Sequence, residues 1–382
     1  MRKSASIRWF GGAVLALLLA GCGAPREQVT VHERNAVPDN LSQWHVVEAI
    51  DGKLSLNARV VPYDLNTALF TDYAHKLRTV WMPEGSSAEY GDADFDYPVG
   101  TIISKTFYYP RGEDGTVVRT DDYSGDFAGS GLDLSKVKLI ETRLLVKRSD
   151  GWQALPYVWN DAQTDAVLEI AGDAKRLQLV SADGSAEAFT YVVPDSNQCA
   201  GCHADNHAQK AVRPIGPRAR HLNKTFDYRD SGGQDGEQNQ LLYWQQVGYL
   251  TGVPDLAEVP RNVDYEDATA SLEDRARSYL DINCGHCHNP SGPADTSGLM
   301  LYGAEQDRRK LGVCKPPVAA GTGSGDRLFA IVPGSPDESI LNFRVESTDP
   351  GAMMPELGRS LAHEEGAELL KEWIASLPGN CS

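Results

Sequence analysis

The chain is poor in positive charge. Its 382 residues hold 36 Lys and Arg against 53 Asp and Glu, a formal net charge of −17. That deficit argues against nucleic-acid binding, which needs basic surface to neutralise phosphates. It argues equally against adsorption to anionic lipid through a polybasic face. A cationic partner surface suits the charge. Long apolar runs are missing too, except at the extreme N-terminus, and no repeat of solenoid spacing is present. With 41% hydrophobic and 23% charged residues, the composition is that of a folded globular protein. At roughly 150 residues per domain, the length suggests two to three domains.

The one apolar run, Trp9 to Ala20, follows Arg2, Lys3 and Arg8. This is the layout of a secretory signal, and the run is short of the ~20 residues a bilayer span needs. It ends Leu19-Ala20-Gly21-Cys22, which resembles the bacterial lipobox. That resemblance implies cleavage of residues 1–21 and lipidation of Cys22. The mature chain would be tethered in the cell envelope, facing the periplasm. Gly23 after the Cys, where an Asp would favour the inner membrane, points to the outer one.

Each of the seven cysteines has a place. Beyond Cys22, four fall in two C-x-x-C-H motifs, Cys199-Ala-Gly-Cys202-His203 and Cys284-Gly-His-Cys287-His288. Residues at i, i+3 and i+4 share one helix face, so both thiols and the imidazole point the same way. The thiols can then add to two haem vinyl groups while the imidazole reaches the iron, and this five-residue order is the signal for covalent haem attachment. Two motifs imply two haem c groups. A thioredoxin-like reading needs a βαβ context that the surroundings lack. A zinc site pooling the four thiols does not call for a His after each pair. Cys314 and Cys381 remain, and in an oxidising compartment a leftover pair reads as a disulfide.

Along the chain, residues 22–42 are polar and turn-rich and read as a linker. Residues 43–230 show short β-type runs at 101–109, 137–146, 177–180 and 188–193. Asp150-Gly151 and Asp183-Gly184 read as hairpin turns. The expectation is a mostly-β domain, sandwich-like or barrel-like, ending in the first motif. Residues 231–382 read as helical. Helices are expected at 238–250, from a capping box at Ser271-Leu-Glu-Asp274, from Ser335 with Pro336 and Glu338, and at 363–377.

A helix entering C-x-x-C-H, then loops, a Met and a terminal helix: this order resembles class I cytochrome c. Met354-Pro-Glu-Leu-Gly358 is similar to the segment around the sixth iron ligand in such domains, with Glu356 a departure from it. The resemblance implies a helical cytochrome c-like domain over 231–382, with His288 and Met354 as axial ligands. Met353 is the competing thioether. Met300 reads as core, and His286, inside the motif, as unable to reach the distal face. His/Met ligation raises the potential and leaves no open position.

For the first motif the sixth ligand stays open among His221, His45, His75, Met82 or none, while His207 at i+4 from His203 stays on the proximal side. Pro98-Val-Gly-Thr-Ile-Ile-Ser-Lys105 is similar to a strand of the lysine-crosslinked cytochromes that oxidise hydroxylamine. Lys105 nevertheless reads as a solvated strand lysine, as most lysines are. Val61-Pro-Tyr-Asp-Leu-Asn-Thr67, Arg78-Thr-Val-Trp-Met-Pro83, Pro214-Ile-Gly-Pro217 and Leu311-Gly-Val-Cys-Lys-Pro-Pro317 resemble a family of bacterial dihaem c-type cytochrome lipoproteins of undefined role. The expectation is an electron-transfer haemoprotein with a redox partner protein and a lipid anchor. The alternative is a haem enzyme, peroxidase-like or acting on nitrogen compounds, with an open first haem fed by the second.

Overall fold

The computed structural model describes residues 27–123, 125–126, 131–204, 211–228, 236–319 and 321–381. The expected signal segment, Cys22 and His207 lie outside them.

Six strands form one sheet: β1 (Val61–Tyr63), β2 (His75–Trp81), β3 (Ile102–Pro110), β4 (Val137–Arg148), β5 (Gly151–Trp159) and β6 (Ala166–Leu168). They pair in chain order, each antiparallel to the next, as an open meander. The β4–β5 hairpin turns just before Gly151, whose φ of 129° lies in the region only glycine occupies freely. Two further strands, β7 (Asp173–Val180) and β8 (Ala186–Val193), make an antiparallel hairpin. Along β8 the side chains of Phe189, Tyr191 and Val193 are buried while their neighbours are exposed. That period of two is the mark of a strand with one wet face.

The two faces of the meander have different partners. One buries Leu77, Ile102, Leu144, Val146 and Leu155 against Val47, Leu54 and Leu132 of a small three-stranded sheet. The other turns Val80, Ile103 and Leu145 toward Ile215, Leu241, Trp244 and Ile282. This second face carries the site.

The β content of the N-terminal region fits its expectation in part. The helical cytochrome c-like domain over 231–382 does not form. Helices α1 (Ser196–His203) and α2 (Ala219–Leu222) precede this stretch, and within it lie α3 (Gln240–Gln246), α4 (Leu272–Asn283), α5 (Ile340–Glu346) and α6 (Glu364–Ser376), of 7, 12, 7 and 13 residues. The rest of that stretch, among the described residues, is loop, tight turn or short strand. α3 packs into the core of the sheet, and Leu250–Thr251 pairs with Ala88–Glu89. The physical reason lies in the 284–336 stretch. Nine glycines and six prolines interrupt it, and neither residue sustains a helix interior. The helix expected from Ser335 begins later, at Ile340. Pro336–Glu338 makes only a single tight turn, and Ser339 Oγ is spent on Val332 N and Ser335 O. The start at Ser271 is as expected, with Ser271 Oγ accepting from Asp274 N at 3.1 Å. α4, α5 and α6 share a small core of Tyr279, Leu280, Leu341, Leu370, Trp373 and Ile374.

Cys314 and Cys381 are bonded, Cα to Cα 5.2 Å, across 67 residues of sequence. In the chain-entropy account a loop of that length stabilises by up to about 4 kcal/mol. Replacing both cysteines by Ser should lower the urea unfolding free energy by up to that amount in non-reducing buffer. An unchanged midpoint would show that the bond does not constrain the unfolded chain.

Candidate functional site

Both C-x-x-C-H motifs open onto one cavity of about 790 Å³. The first sits on α1 (Ser196–His203). Asp195 caps it, accepting from Asn197 N and Gln198 N at 2.8 Å, and Gln198 Oε1 returns to Asp195 N at 3.0 Å. On this one helix Cys199, Cys202 and His203 line the cavity together. The second motif follows α4, whose last helical residue is Asn283. One further turn carries it, with Cys287 N and His288 N both donating to Cys284 O at 3.1 and 2.9 Å. Gly285 makes this turn possible. A Cβ there would lie 2.6 Å from Asp281 O and 2.8 Å from Tyr302 Cα.

In each motif the terminal histidine pairs its Nδ1 with a main-chain carbonyl: His203 with Arg213 O at 2.6 Å, His288 with Leu299 O at 3.3 Å. Such a bond fixes the tautomer with the proton on Nδ1 and leaves the Nε2 lone pair for a metal. Burial drives His203 down to about 3, helped by Lys105, and drives His288 down to about 4. Both rings are therefore neutral at pH 7. Burial also raises the pKa of Cys199 and Cys202 and pushes Cys284 and Cys287 up to about 12. None of the four thiols is in a disulfide. Among the described residues no three of His, Cys, Asp and Glu converge as around a bare metal ion, so the pooled zinc site has no geometry here.

Met354 lines the cavity and Met353 does not. The Met354 loop is held by Arg359, whose Nη2 donates to Met354 O at 2.9 Å and to Ser347 O at 2.8 Å. The loop also meets the first motif, since a Cβ on Gly201 would lie 3.5 Å from Leu357 Cδ1. His286 is on the cavity wall as well, its Nδ1 3.2 Å from Ile282 O.

The other candidates for the first motif lie away from the cavity. His221 is 1% exposed, with Nδ1 3.3 Å from Asn262 Nδ2 and Nε2 3.8 Å from Asp281. His45 sits between Glu27 and Glu48. His75 is tied to Asp126 and Thr120 O, and Met82 is core. Lys105 is not a solvated strand lysine. It is half-buried on the cavity wall, brought down to about 7 by burial and by Arg143 and Arg78.

Sequence reasoning missed the charged wall. Six Lys and Arg line the cavity (Arg78, Lys105, Arg143, Lys315, Arg344 and Arg359) against one acid, Glu356. The available signal was cations at alternate positions of otherwise apolar strands. Comparison with family models, with curated proteins and with solved structures gives no match.

Behind the second motif, Asp281 of α4 is buried and fully engaged. It accepts from Arg220 Nη2 at 3.0 Å, Asn262 Nδ2 at 2.9 Å and Gly303 N at 2.8 Å. Burial alone would raise its pKa; Arg220, His221 and the hydrogen bonds overcome this and hold it well below the carboxylate range. A depressed folded pKa means stability that is present above the unfolded value of ~3.9 and lost as pH falls through the folded one. Asp281→Ala should cost about 3–5 kcal/mol at pH 7, the usual price of leaving a buried cation unpaired. Its deficit against wild type in urea melts should shrink in strong acid. A loss of under about 1 kcal/mol would contradict this.

Proposed function

We propose that the chain carries two haem c groups in this shared cavity and transfers electrons through them in the bacterial cell envelope. Cys199, Cys202 and His203 would hold one; Cys284, Cys287 and His288 the other. The observation that carries the reading is the common arrangement of the two motifs. Two thiols and an imidazole with its Nδ1 satisfied face the same apolar space, twice. The donor set fits the group. Cys199, Cys202, Cys284 and Cys287 would hold the groups by addition of each S–H across a vinyl double bond, with no atom lost, and the Nε2 atoms of His203 and His288 would hold the irons. The cationic wall suits the propionate carboxylates.

Haem supplies a one-electron couple. The chain's own residues set its environment. Burial keeps His203 and His288 neutral and able to ligate, while Arg213 O and Leu299 O fix their rings. Met354 would hold the second haem's iron together with His288 and raise its potential. Ile282, Leu299, Leu301 and Leu341 line the same cavity with apolar surface, which would keep water from the group. A lipid on Cys22 would tether the chain to the outer membrane, and a cationic surface on a redox partner protein would suit its net charge of −17. The second reading, an enzyme reacting at the first haem, is favoured by the placement of Lys105 at the first motif.

Denatured full-length protein should retain two haems by mass, and Cys199→Ala with Cys202→Ala should leave one. A single haem in wild type would contradict the proposal. In the same preparations Met354→Ala should turn the second haem high-spin and lower its potential without loss of haem, while Met353→Ala should do much less. The reverse pattern would make Met353 the ligand.

A further inference from the structure

The inner face of the meander carries a row of cations that thiol and imidazole ligation leaves unused. Arg78 on β2, Lys105 on β3 and Arg143 on β4 are direct register partners. Like charges directly opposite one another destabilise a sheet. All three line the cavity, and Lys105 and Arg143 are near enough to Cys202 to act on its thiol. Lys76, two residues from Arg78 and on the same face, has its pKa pushed well down by burial and by Arg78 and Lys105, and its Nζ donates to Ala74 O at 2.7 Å.

The acids at hand do not balance this row. Glu141 takes Arg143, with Nε to Oε2 at 2.7 Å. Asp64 accepts from Arg78 Nη1 at 3.0 Å but is shared with Lys224, also at 3.0 Å. Arg78 Nη2 is buried with no hydrogen-bond partner among the described residues, in a residue only 5% exposed. Lys105 Nζ makes no ion pair among the described residues and lies over the face of Phe107, 5.0 Å to the ring centre. A buried guanidinium nitrogen and an unpaired lysine nitrogen, side by side on a cavity wall, are the donor pattern of an anion site, and a bound anion would favour the protonated lysine.

We propose that Arg78, Lys105 and Arg143 bind a carboxylate or small oxyanion beside the first C-x-x-C-H motif, with Arg78 Nη2 and Lys105 Nζ as its donors. The chemistry is the same whether the oxygens belong to a haem propionate or to a free ligand, and the site does not depend on the dihaem reading. Lys105 breaks no ion pair when removed, so Lys105→Gln keeps the test open should Arg78→Gln fail to fold.

The test uses the full-length protein as purified, titrated calorimetrically with sodium nitrite and with sodium acetate. A free-ligand site gives binding in wild type that weakens about tenfold or more in Arg78→Gln or Lys105→Gln. A propionate site gives no such binding, but either variant then shifts by about one unit the pH at which the first haem's potential changes. Either result supports the anion site. If neither variant changes anion binding or that pH dependence, the proposal is overturned. Protein that carries no haem would sink the dihaem reading while calorimetry alone still decided this one.

Discussion

Three adjacent strands of an antiparallel meander place Arg78, Lys105 and Arg143 in line on the face that closes the cavity. Placing like charges side by side in a poorly solvated space is costly, and neighbouring acids relieve it only in part. In a chain of net charge −17, the wall of one cavity gathers six cations and a single acid. That concentration is tolerable where something negative occupies the space between them. The two cysteine–histidine motifs define what such an occupant must also satisfy: four protonated thiols and two neutral imidazoles on the same walls. Charge, thiol chemistry and histidine tautomer each bear on the same group, and they do so from elements far apart in sequence.

How much was legible depended on how local the information is. The C-x-x-C-H motifs span five residues each, and helical spacing alone aligns Cys199, Cys202 and His203. Cys314 and Cys381 were identifiable by elimination, because the other thiols had partners in chemistry. The strands at Ile102–Pro110 and Val137–Arg148 follow from β-branched and aromatic runs. The C-terminal architecture was not legible. A helix, a motif, a Met and a final helix in the right order did not make a helical domain, because order says nothing about the glycine- and proline-broken chain between them. The apolar residues of α3 are periodic enough to call a helix, but periodicity does not say that Leu241 and Trp244 pack on a sheet.

The site shows the same division. Residues carrying their own chemistry were found, and residues acting by register were missed. Arg78 and Arg143 are 65 positions apart and meet only because β3 lies between them. His221 lay within reach of the first motif by chain length, yet the structure turns it to Asp281 and Asn262. His286 was set aside from its position within the second motif, and the packing of α1 against the Met354 loop instead gives it a cavity shared with His203.

One cavity for both motifs is the central claim, and it has a consequence that two separate haem pockets would not have. Groups held there would lie close enough to influence each other's oxidation. The most direct measurement is a spectroelectrochemical titration of the full-length protein, followed by electron paramagnetic resonance at each stage. The account predicts two interacting haems, with reduction of one shifting the potential of the other and spin coupling visible when both are ferric. Two haems that titrate independently and show no coupling would contradict it.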